Sequence, residues 1–306
     1  MSWQRANVLV TGANGFLGSH VADRLVALGA TTYGIARQPT SRNDGIVWLE
    51  GDLCDSTTVQ RLLRQARPDV VFHLAGQTDA APSKELVMPS LRNNLLGTVV
   101  LMQELLETGS RRVVMTASLE EPSQASGGSV PASPYGASKW AEGGYARMFQ
   151  KLFGLPAVIV RPFMTYGPRQ RPGKLVPSLT LALLRGEIPT VTQPDRAVDW
   201  IYIDDVVDGI LAAALAEGVV GRTFDLGSGA LLPIREVAQL LEAVIGPGAS
   251  VRLSTPASSV GEHGRRADVR AASDSLGWQA TTSLRSGLEQ TVAWYRSKLH
   301  PHVEAH

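Results

Sequence analysis

The sequence predicts an α/β protein with a doubly wound parallel sheet and a second, smaller domain. Three observations predict this fold class. Short apolar runs alternate with amphipathic helical segments through the first half of the chain, and a glycine-rich turn joins the first run to the first helix. The composition is that of an ordinary globular protein, with 44% hydrophobic and 19% charged residues in 306.

The strands of the predicted sheet are short and almost wholly apolar. They are Val8-Leu9-Val10, Thr31–Ile35, Ile46–Leu49, Val70–Leu74, Val113–Met115 and Val158–Val160. The first helix, Gly15–Leu28, carries Leu17, Val21, Leu25 and Leu28 on one face. Strands without polar alternation are typical of parallel sheets that are buried on both faces, so helices are expected on each side. This is the Rossmann arrangement.

Beyond Pro162 the alternation of strands and helices becomes less regular. The expected elements are a loop at Tyr166–Lys174, helices at Leu175–Arg185, Asp204–Glu217 and Leu284–Leu299, and a strand at Trp200–Ile203. We therefore expect two interleaved domains. A dinucleotide-binding domain would take residues 1–165 and 196–226, and a substrate domain would take residues 166–195 and 227–300.

The charge and cysteine content exclude several classes of partner. The formal net charge is +1, so no strong field attracts nucleic acid or an anionic membrane. Cys54 is the only cysteine, which rules out an intrachain disulfide and suits a reducing compartment. The apolar stretch near Ile210–Ala216 is far shorter than the ~20 residues of a membrane span. We expect a cytoplasmic protein without a metal site.

The first motif with chemical content is the turn Thr11-Gly12-Ala13-Asn14-Gly15-Phe16-Leu17-Gly18. Gly12 and Gly15 let the backbone approach a pyrophosphate, and Gly18 lets the helix pack closely on the strand. The start of the helix adds free N–H groups and a partial positive charge. The turn therefore predicts a dinucleotide site.

The end of the second strand indicates which dinucleotide is bound. An acidic residue there accepts hydrogen bonds from the ribose of NAD, whereas an arginine accommodates the 2′-phosphate of NADP. This chain has Gly34-Ile35-Ala36-Arg37, without a carboxylate and with a guanidinium next to the strand. NADP(H) is therefore favoured over NAD(H).

The second motif is Tyr135-Gly136-Ala137-Ser138-Lys139, preceded by Pro134. Tyr135 and Lys139 are four residues apart and lie on one helical face. A phenol with a pKa near ~10 is a poor proton-transfer group at neutral pH, and a nearby ammonium favours its ionised form. The motif is weak alone, but here it follows both the glycine turn and a strand that ends in Thr116-Ala117-Ser118.

These motifs resemble the extended short-chain dehydrogenases, the NAD(P)-dependent sugar epimerase/dehydratase family, over nearly the whole chain. Further matches are Gly51-Asp52-Leu53, His73-Leu74-Ala75-Gly76, Asn93–Thr98, Arg161-Pro162-Phe163, Tyr166-Gly167-Pro168, Asp199–Asp205 and Leu276-Gly277-Trp278. The resemblance implies that Ser118 orients the reacting oxygen, Tyr135 moves its proton, and Lys139 holds the nicotinamide ribose. The implied cofactor contacts are Gly12, Gly15, Phe16, Leu17, Arg37, Asp52, Leu53, Leu74, Ala75, Gly76, Asn94, Tyr135, Lys139 and Phe163.

The departures from the family pattern concern the substrate side. Dehydratases of the family have Thr-Asp-Glu where this chain has Ser118-Leu119-Glu120, so sugar 4,6-dehydration is disfavoured while Glu120 keeps a base in place. Met164 replaces an asparagine that contacts substrate. Val198 and Ser259 replace the two arginines that hold a nucleotide diphosphate. Candidate replacements are Lys174, Arg196, Arg265 and Arg266.

The leading hypothesis is an NADPH-dependent 4-ketoreductase acting on a nucleotide-linked deoxysugar, since the layout is similar to GDP-4-keto-6-deoxy-mannose reductases. The alternatives are a nucleotide-sugar 4-epimerase that retains its cofactor, and a dehydrogenase or epimerase for a substrate without a nucleotide. A regulator that only senses the dinucleotide is disfavoured by the intact Ser118, Tyr135 and Lys139. The resemblance also implies a homodimer formed by the helices near Asn94–Glu107 and Tyr135–Phe153.

Overall fold

The computed structural model describes residues 2–38, 45–122, 130–254 and 264–299. Its strands are β1 Asn7–Thr11, β2 Thr31–Ala36, β3 Val47–Glu50, β4 Val70–His73, β5 Arg112–Thr116, β6 Ala157–Pro162, β7 Met164–Tyr166, β8 Thr190–Thr192, β9 Ala197–Tyr202, β10 Thr223–Leu226, β11 Leu231–Pro233 and β12 Arg252–Ser254. The α-helices are α1 Phe16–Ala27, α2 Ser56–Ala66, α3 Val87–Ser90, α4 Gly97–Thr108, α5 Pro134–Phe153, α6 Leu175–Leu184, α7 Ile203–Leu215, α8 Ile234–Ile245, α9 Val269–Leu276 and α10 Leu284–Leu299.

Seven strands form the main sheet in the order β10-β6-β5-β4-β1-β2-β3. The pairs from β3 to β6 are all parallel, and each predicted strand of the first half lies in this sheet. The chain runs outward from β1 to β3 and then returns to β4 on the other side of β1. The carboxyl ends of β1 and β4 therefore flank the switch point at which doubly wound sheets bind ligands. The predicted fold class is confirmed.

The sheet is held by an apolar core against α2, α4 and α5. Leu9, Leu62 and Leu101 are fully buried or nearly so in one cluster. The α2 helix packs Val59, Leu62, Leu63 and Ala66 into this cluster. Asp55 caps the start of the helix by accepting the backbone N–H of Thr57 at 3.1 Å. Truncation of a core leucine such as Leu62 to alanine is expected to cost about 2–5 kcal/mol.

The chain folds into two units, each built from several separate stretches of sequence. The first contains Met1–Pro162, Val207–Asp225 and Ala271–Trp278, and the second contains Phe163–Val206, Leu226–Arg270 and Gln279–His306. These bounds differ from the predicted domains mainly at residues 196–206, which fall in the second unit, and at residues 271–278, which fall in the first. Residues 196–206 lie in the second unit because β9 pairs with β7 and β11 in a separate three-stranded sheet.

The buried carboxylate of Asp199 joins separate segments of the second unit by hydrogen bonds. Asp199 accepts the backbone N–H groups of Ser228, Gly229 and Ala267 at 2.7–3.0 Å, together with the Ser228 hydroxyl. The two-residue sequence Asp199-Trp200 is thus a structural feature of this unit. Within the described ranges, no helix is long and apolar enough to cross a bilayer.

Candidate active site

The glycine-rich turn connects β1 to α1 with almost no free space around its backbone. Gly12 has a φ of +70°, and a Cβ at this position would lie 2.8 Å from the backbone of Ala75. A Cβ at Gly18 would lie 2.0 Å from the Gly12 carbonyl oxygen. No side chain caps the start of α1 at Gly15, so its first N–H groups are available to an anion. This geometry fits a dinucleotide pyrophosphate.

A buried hydrogen-bond chain links the ends of β1 and β4. Thr11 Oγ1 accepts the backbone N–H groups of Leu74 and Ala75 at 3.2 and 3.1 Å and lies 2.8 Å from His73 Nδ1. Its own proton is therefore directed to Nδ1, which leaves the imidazole proton on Nε2, 2.7 Å from Thr98 Oγ1. Burial, aided by the Lys139 charge, lowers the pKa of His73 to about 3, so the ring is neutral. These hydrogen bonds hold the backbone of residues 74–76, the segment predicted to line the cofactor.

The predicted adenine end carries an ion pair. Asp52 Oδ1 accepts the backbone N–H of Cys54 at 3.0 Å, and Asp52 Oδ2 lies 3.0 Å from Arg92 Nη2. The backbone hydrogen bond from Cys54 and the pairing with Arg92 lower the pKa of Asp52 despite partial burial. At the end of β2, Ala36 is buried and Arg37 is exposed, so the guanidinium is accessible beside the strand.

Asn94 lies fully buried in a π-helix, Leu91–Leu96, that connects α3 to α4. Its amide accepts the backbone N–H of Gln77 at 2.7 Å and donates to Ser138 Oγ at 2.8 Å. Ser138 Oγ in turn donates to the Tyr135 carbonyl. Single turns of π-helix are frequent at functional sites. Asn94 thus ties the segment after β4 to the start of α5.

The residues predicted to carry the chemistry meet at the start of α5. Ser133 caps this helix through the Gly136 N–H at 3.0 Å, and Pro134 occupies its first turn. A Cβ at Gly136 would lie 2.7 Å from the Glu120 carbonyl oxygen, so glycine permits close approach of the turn after β5. Ser118 Oγ accepts the Glu120 N–H at 3.1 Å, and the Ser118 side chain acts to lower the pKa of Tyr135.

The pKa of Tyr135 lies above its ordinary value. Burial raises it, and the Glu142 and Glu120 carboxylates act in the same direction. The Lys139 ammonium and the Ser118 hydrogen bond lower it, as expected, but do not fully compensate. The Tyr-Lys spacing predicts a lowered pKa for Tyr135, whereas the net shift is upward. The spacing places the Lys139 ammonium beside Tyr135 but says nothing about how deeply Tyr135 is buried.

Two carboxylates in the site were not predicted from the sequence. Glu142 Oε2 lies 2.7 Å from Lys139 Nζ. Glu121 Oε1 accepts the Ser118 N–H at 2.7 Å, while its Oε2 lies 3.8 Å from Arg161 Nη2. Glu142 follows Lys139 by three residues on one helix, a spacing from which the contact is predictable. No comparable local signal marks Glu121.

The remaining predicted positions belong to the second unit. Phe163 is buried, with the Arg265 guanidinium 5.9 Å from its ring centroid. Val198 is buried in β9, where it pairs with Leu232, so a core residue occupies the place of the family's arginine. Met164 lies in β7, Lys174 directly precedes α6, and Arg196 precedes β9. Ser259 lies outside the described residues.

The part of the chain that the structure describes shows no cluster of three His, Cys, Asp or Glu side chains able to hold a metal. The site instead combines a dinucleotide cradle with a Ser-Tyr-Lys group, and this defines an oxidoreductase of the short-chain dehydrogenase type. The sequence profile of the NAD dependent epimerase/dehydratase family matches residues 8–227, and the chain belongs to that family.

Three relatives illustrate the similarity. A UDP-glucose 4-epimerase of Mycolicibacterium smegmatis is 31% identical over 320 residues, covering 95% of this chain and 98% of the relative. A dTDP-glucose 4,6-dehydratase of Actinoplanes sp. is 30% identical, with the same coverage of 95% and 98%. The structure of MoeE5 in complex with UDP-glucose and NAD is 30% identical, has a TM-score of 0.85, and is covered to 100%, against 96% of this chain. The predicted family resemblance is confirmed.

Proposed function

We propose that this chain is a nucleotide-sugar 4-epimerase, which oxidises the C4 carbon of a hexose and reduces it again on the other face. The observation that carries the proposal is the Ser118-Tyr135-Lys139 group assembled beside a dinucleotide cradle, with Leu119 where a dehydratase has its acid. The UDP-glucose 4-epimerase at 31% identity and the UDP-glucose and NAD held by MoeE5 support the same chemistry.

The residues present fit both half-reactions. Bound nicotinamide would accept the C4 hydride and return it. Tyr135 takes the proton of the C4 hydroxyl as the carbonyl forms, and gives it back as the alcohol is restored. Ser118 hydrogen-bonds the reacting oxygen throughout, and Lys139 holds the ribose and favours the phenolate. Leu119 has no proton to give, so the site lacks the acid that would expel water from the 4-keto sugar.

The direct test uses the purified protein with UDP-glucose, UDP-galactose and the corresponding dTDP- and GDP-hexoses, without added cofactor. Chromatography of the products is expected to show interconversion of one C4 pair, with no net change in nicotinamide absorbance. The acid-quenched protein is expected to release a tightly held dinucleotide. Turnover that consumes one reduced nicotinamide for each sugar would contradict the epimerase assignment.

A second candidate is an NADPH-dependent 4-ketoreductase, and Ala36 with Arg37 favours it. An arginine beside β2 suits the 2′-phosphate of NADP(H), and a net reductase needs a cofactor that exchanges at each turnover. The test is oxidation of NADPH in the presence of a nucleotide-linked 4-keto-6-deoxysugar. If no nucleotide sugar reacts, the substrate is an alcohol or ketone without a nucleotide. Val198 and Met164 would suit such a substrate, because they stand where the family pattern has a diphosphate-binding arginine and a substrate-contacting asparagine.

We also propose a homodimer, formed through α4, α5 and the π-helix between α3 and α4. Large apolar side chains are exposed on α5, on the π-helix and on the adjacent α3, namely Met88, Leu91, Leu96, Trp140, Tyr145, Leu152 and Phe153. Sedimentation velocity is expected to give a dimer for the wild type and a monomer for Trp140→Glu combined with Leu96→Glu. A monomeric wild type would rule this out.

A further inference from the structure

A buried ion pair joins the lysine of the active site to Glu142. Lys139 Nζ and Glu142 Oε2 are 2.7 Å apart, and the two side chains are only 5% and 2% exposed. Glu142 Oε1 is also buried and has no hydrogen-bond partner among the residues that the structure describes. The carboxylate thus depends on Lys139 for its neutralisation, and Lys139 is held in place by a group that the family pattern did not predict.

We propose that Glu142 is a positioning residue for the Tyr135-Lys139 pair: it fixes the Lys139 ammonium on α5 and takes up part of the charge that would otherwise act on Tyr135. The geometric basis is the short contact on one helix together with its burial. A buried charge that loses its partner is strongly destabilised, so Lys139 and Glu142 are expected to remain associated.

The other groups that face this pair do not replace Glu142. From the turn after β5, Glu120 acts on Tyr135, while Glu121 acts on Lys139 but also lies beside Arg161. From β4, His73 faces the pair but is neutral. From α4, the Thr98 hydroxyl acts to lower the pKa of Glu142 and carries no charge. Glu142 is the carboxylate in direct hydrogen-bond contact with Lys139 Nζ.

The charges of the pair are mutually dependent. Burial lowers the pKa of Lys139, but the Glu142 carboxylate opposes it and the net shift is upward, so that the ammonium persists. Burial raises the pKa of Glu142, which Lys139 opposes. With Glu142 ionised, the ammonium stabilises the Tyr135 phenolate less than it would alone, and the resting phenol keeps its proton.

The experiment measures Tyr135 directly and needs no substrate. Phenolate absorbance is titrated with pH in the full chain and in its Tyr135→Phe partner, and the difference isolates Tyr135. The same difference is taken in a Glu142→Gln background, where the side chain keeps its size and an acceptor oxygen. The Tyr135 midpoint is expected to fall by roughly 1–3 pKa units, since an unneutralised ammonium then faces the phenol. Cofactor affinity is expected to stay nearly unchanged.

Glu107→Gln, which removes one exposed carboxylate from α4, is the matched control and is expected to leave the midpoint in place. If Glu142→Gln does not fold, Glu142→Asp decides, because withdrawal of the carboxylate by one methylene is expected to lower the midpoint in the same direction but by less. A folded Glu142 variant with the wild-type midpoint would overturn the proposal. This role rests on the proposed redox function of Tyr135, but a failure to find the sugar substrate leaves the titration result standing.

Discussion

The Glu121 carboxylate accepts the backbone N–H of Ser118, with Oε1 2.7 Å from the nitrogen. The same carboxylate lies beside Arg161, whose Nη1 is 2.6 Å from Asp225 Oδ1. A chain of partly and fully buried charges therefore holds the backbone at the residue that orients the reacting oxygen. Ser118 is positioned by groups from three separate parts of the sequence.

We expect Glu121→Ala to reduce kcat and to leave cofactor affinity unchanged, because Ser118 loses its anchor while the dinucleotide cradle is untouched. Loss of a hydrogen bond to a charged group is expected to cost roughly 1.5–3 kcal/mol of folding free energy. Glu121→Gln keeps an acceptor and should retain more activity. The two variants are compared by steady-state kinetics and denaturant unfolding. Equal kcat in both would argue against a role of the Glu121 hydrogen bond in positioning Ser118.

We expect Tyr135→Phe to abolish turnover with cofactor affinity nearly intact, since only the transferable proton is lost. General acid–base groups contribute about 10²–10⁴-fold to rate. Lys139→Ala should weaken both rate and cofactor binding, because Lys139 serves both. Calorimetric cofactor titration with single-turnover kinetics separates the two effects. A Tyr135→Phe enzyme that keeps most of its activity would mean that another group moves the proton.

Cofactor choice gives a separate prediction. If Arg37 pairs with the 2′-phosphate, NADP(H) binds more tightly than NAD(H), and Arg37→Ala reduces only NADP(H) affinity, by about ten- to a hundredfold for a charge-assisted hydrogen bond. Lys84→Ala, which removes an exposed cation outside the cradle, is the control. Tighter NAD(H) binding would favour the epimerase over the reductase.

The neutral, buried His73 predicts a dependence of stability on pH. Its folded pKa of about 3 lies below the ordinary value of 6.5, so the folded state resists a proton that the unfolded state accepts. The contribution of His73 is complete above pH 6.5 and is lost as the pH falls toward 3, by roughly 1.4 kcal/mol per pH unit. Denaturant unfolding between these limits should show a shallower dependence of stability on pH for His73→Gln than for the wild type.

Substrate recognition can be tested at the two cations that precede α6 and β9. If Lys174 and Arg196 contact a diphosphate, replacing either with alanine raises KM about ten- to a hundredfold with little change in kcat, the signature of uniform binding. Arg185→Ala, on an exposed residue after α6, is the control. Wild-type KM values in both variants would argue against a nucleotide-linked substrate.

The sequence was sufficient for features that are encoded locally. Apolar runs predicted the sheet, and the glycine turn and the Tyr135-Lys139 spacing predicted the two parts of the site. The contact between Arg161 and Asp225 joins residues 64 positions apart and has no local signature. The raised pKa of Tyr135 depends on burial by the assembled fold, which spacing does not report. Likewise, the sequence of β9 has the pattern of a strand, but its pairing with β7 and β11 depends on the tertiary fold and not on local sequence.

The π-helix that carries Asn94 also makes this part of the chain sensitive to its length. A π-helix holds more residues per turn than an α-helix, so Leu91–Leu96 behaves as a stretch with a residue inserted. Deletion of one residue there would restore a continuous α-helix and rotate everything before it by roughly 100° relative to α4. Asn94 would then turn away from Gln77 and Ser138 while the apolar core of α4 stayed in place. The active site is thus more vulnerable to a one-residue deletion at this point than the fold that supports it.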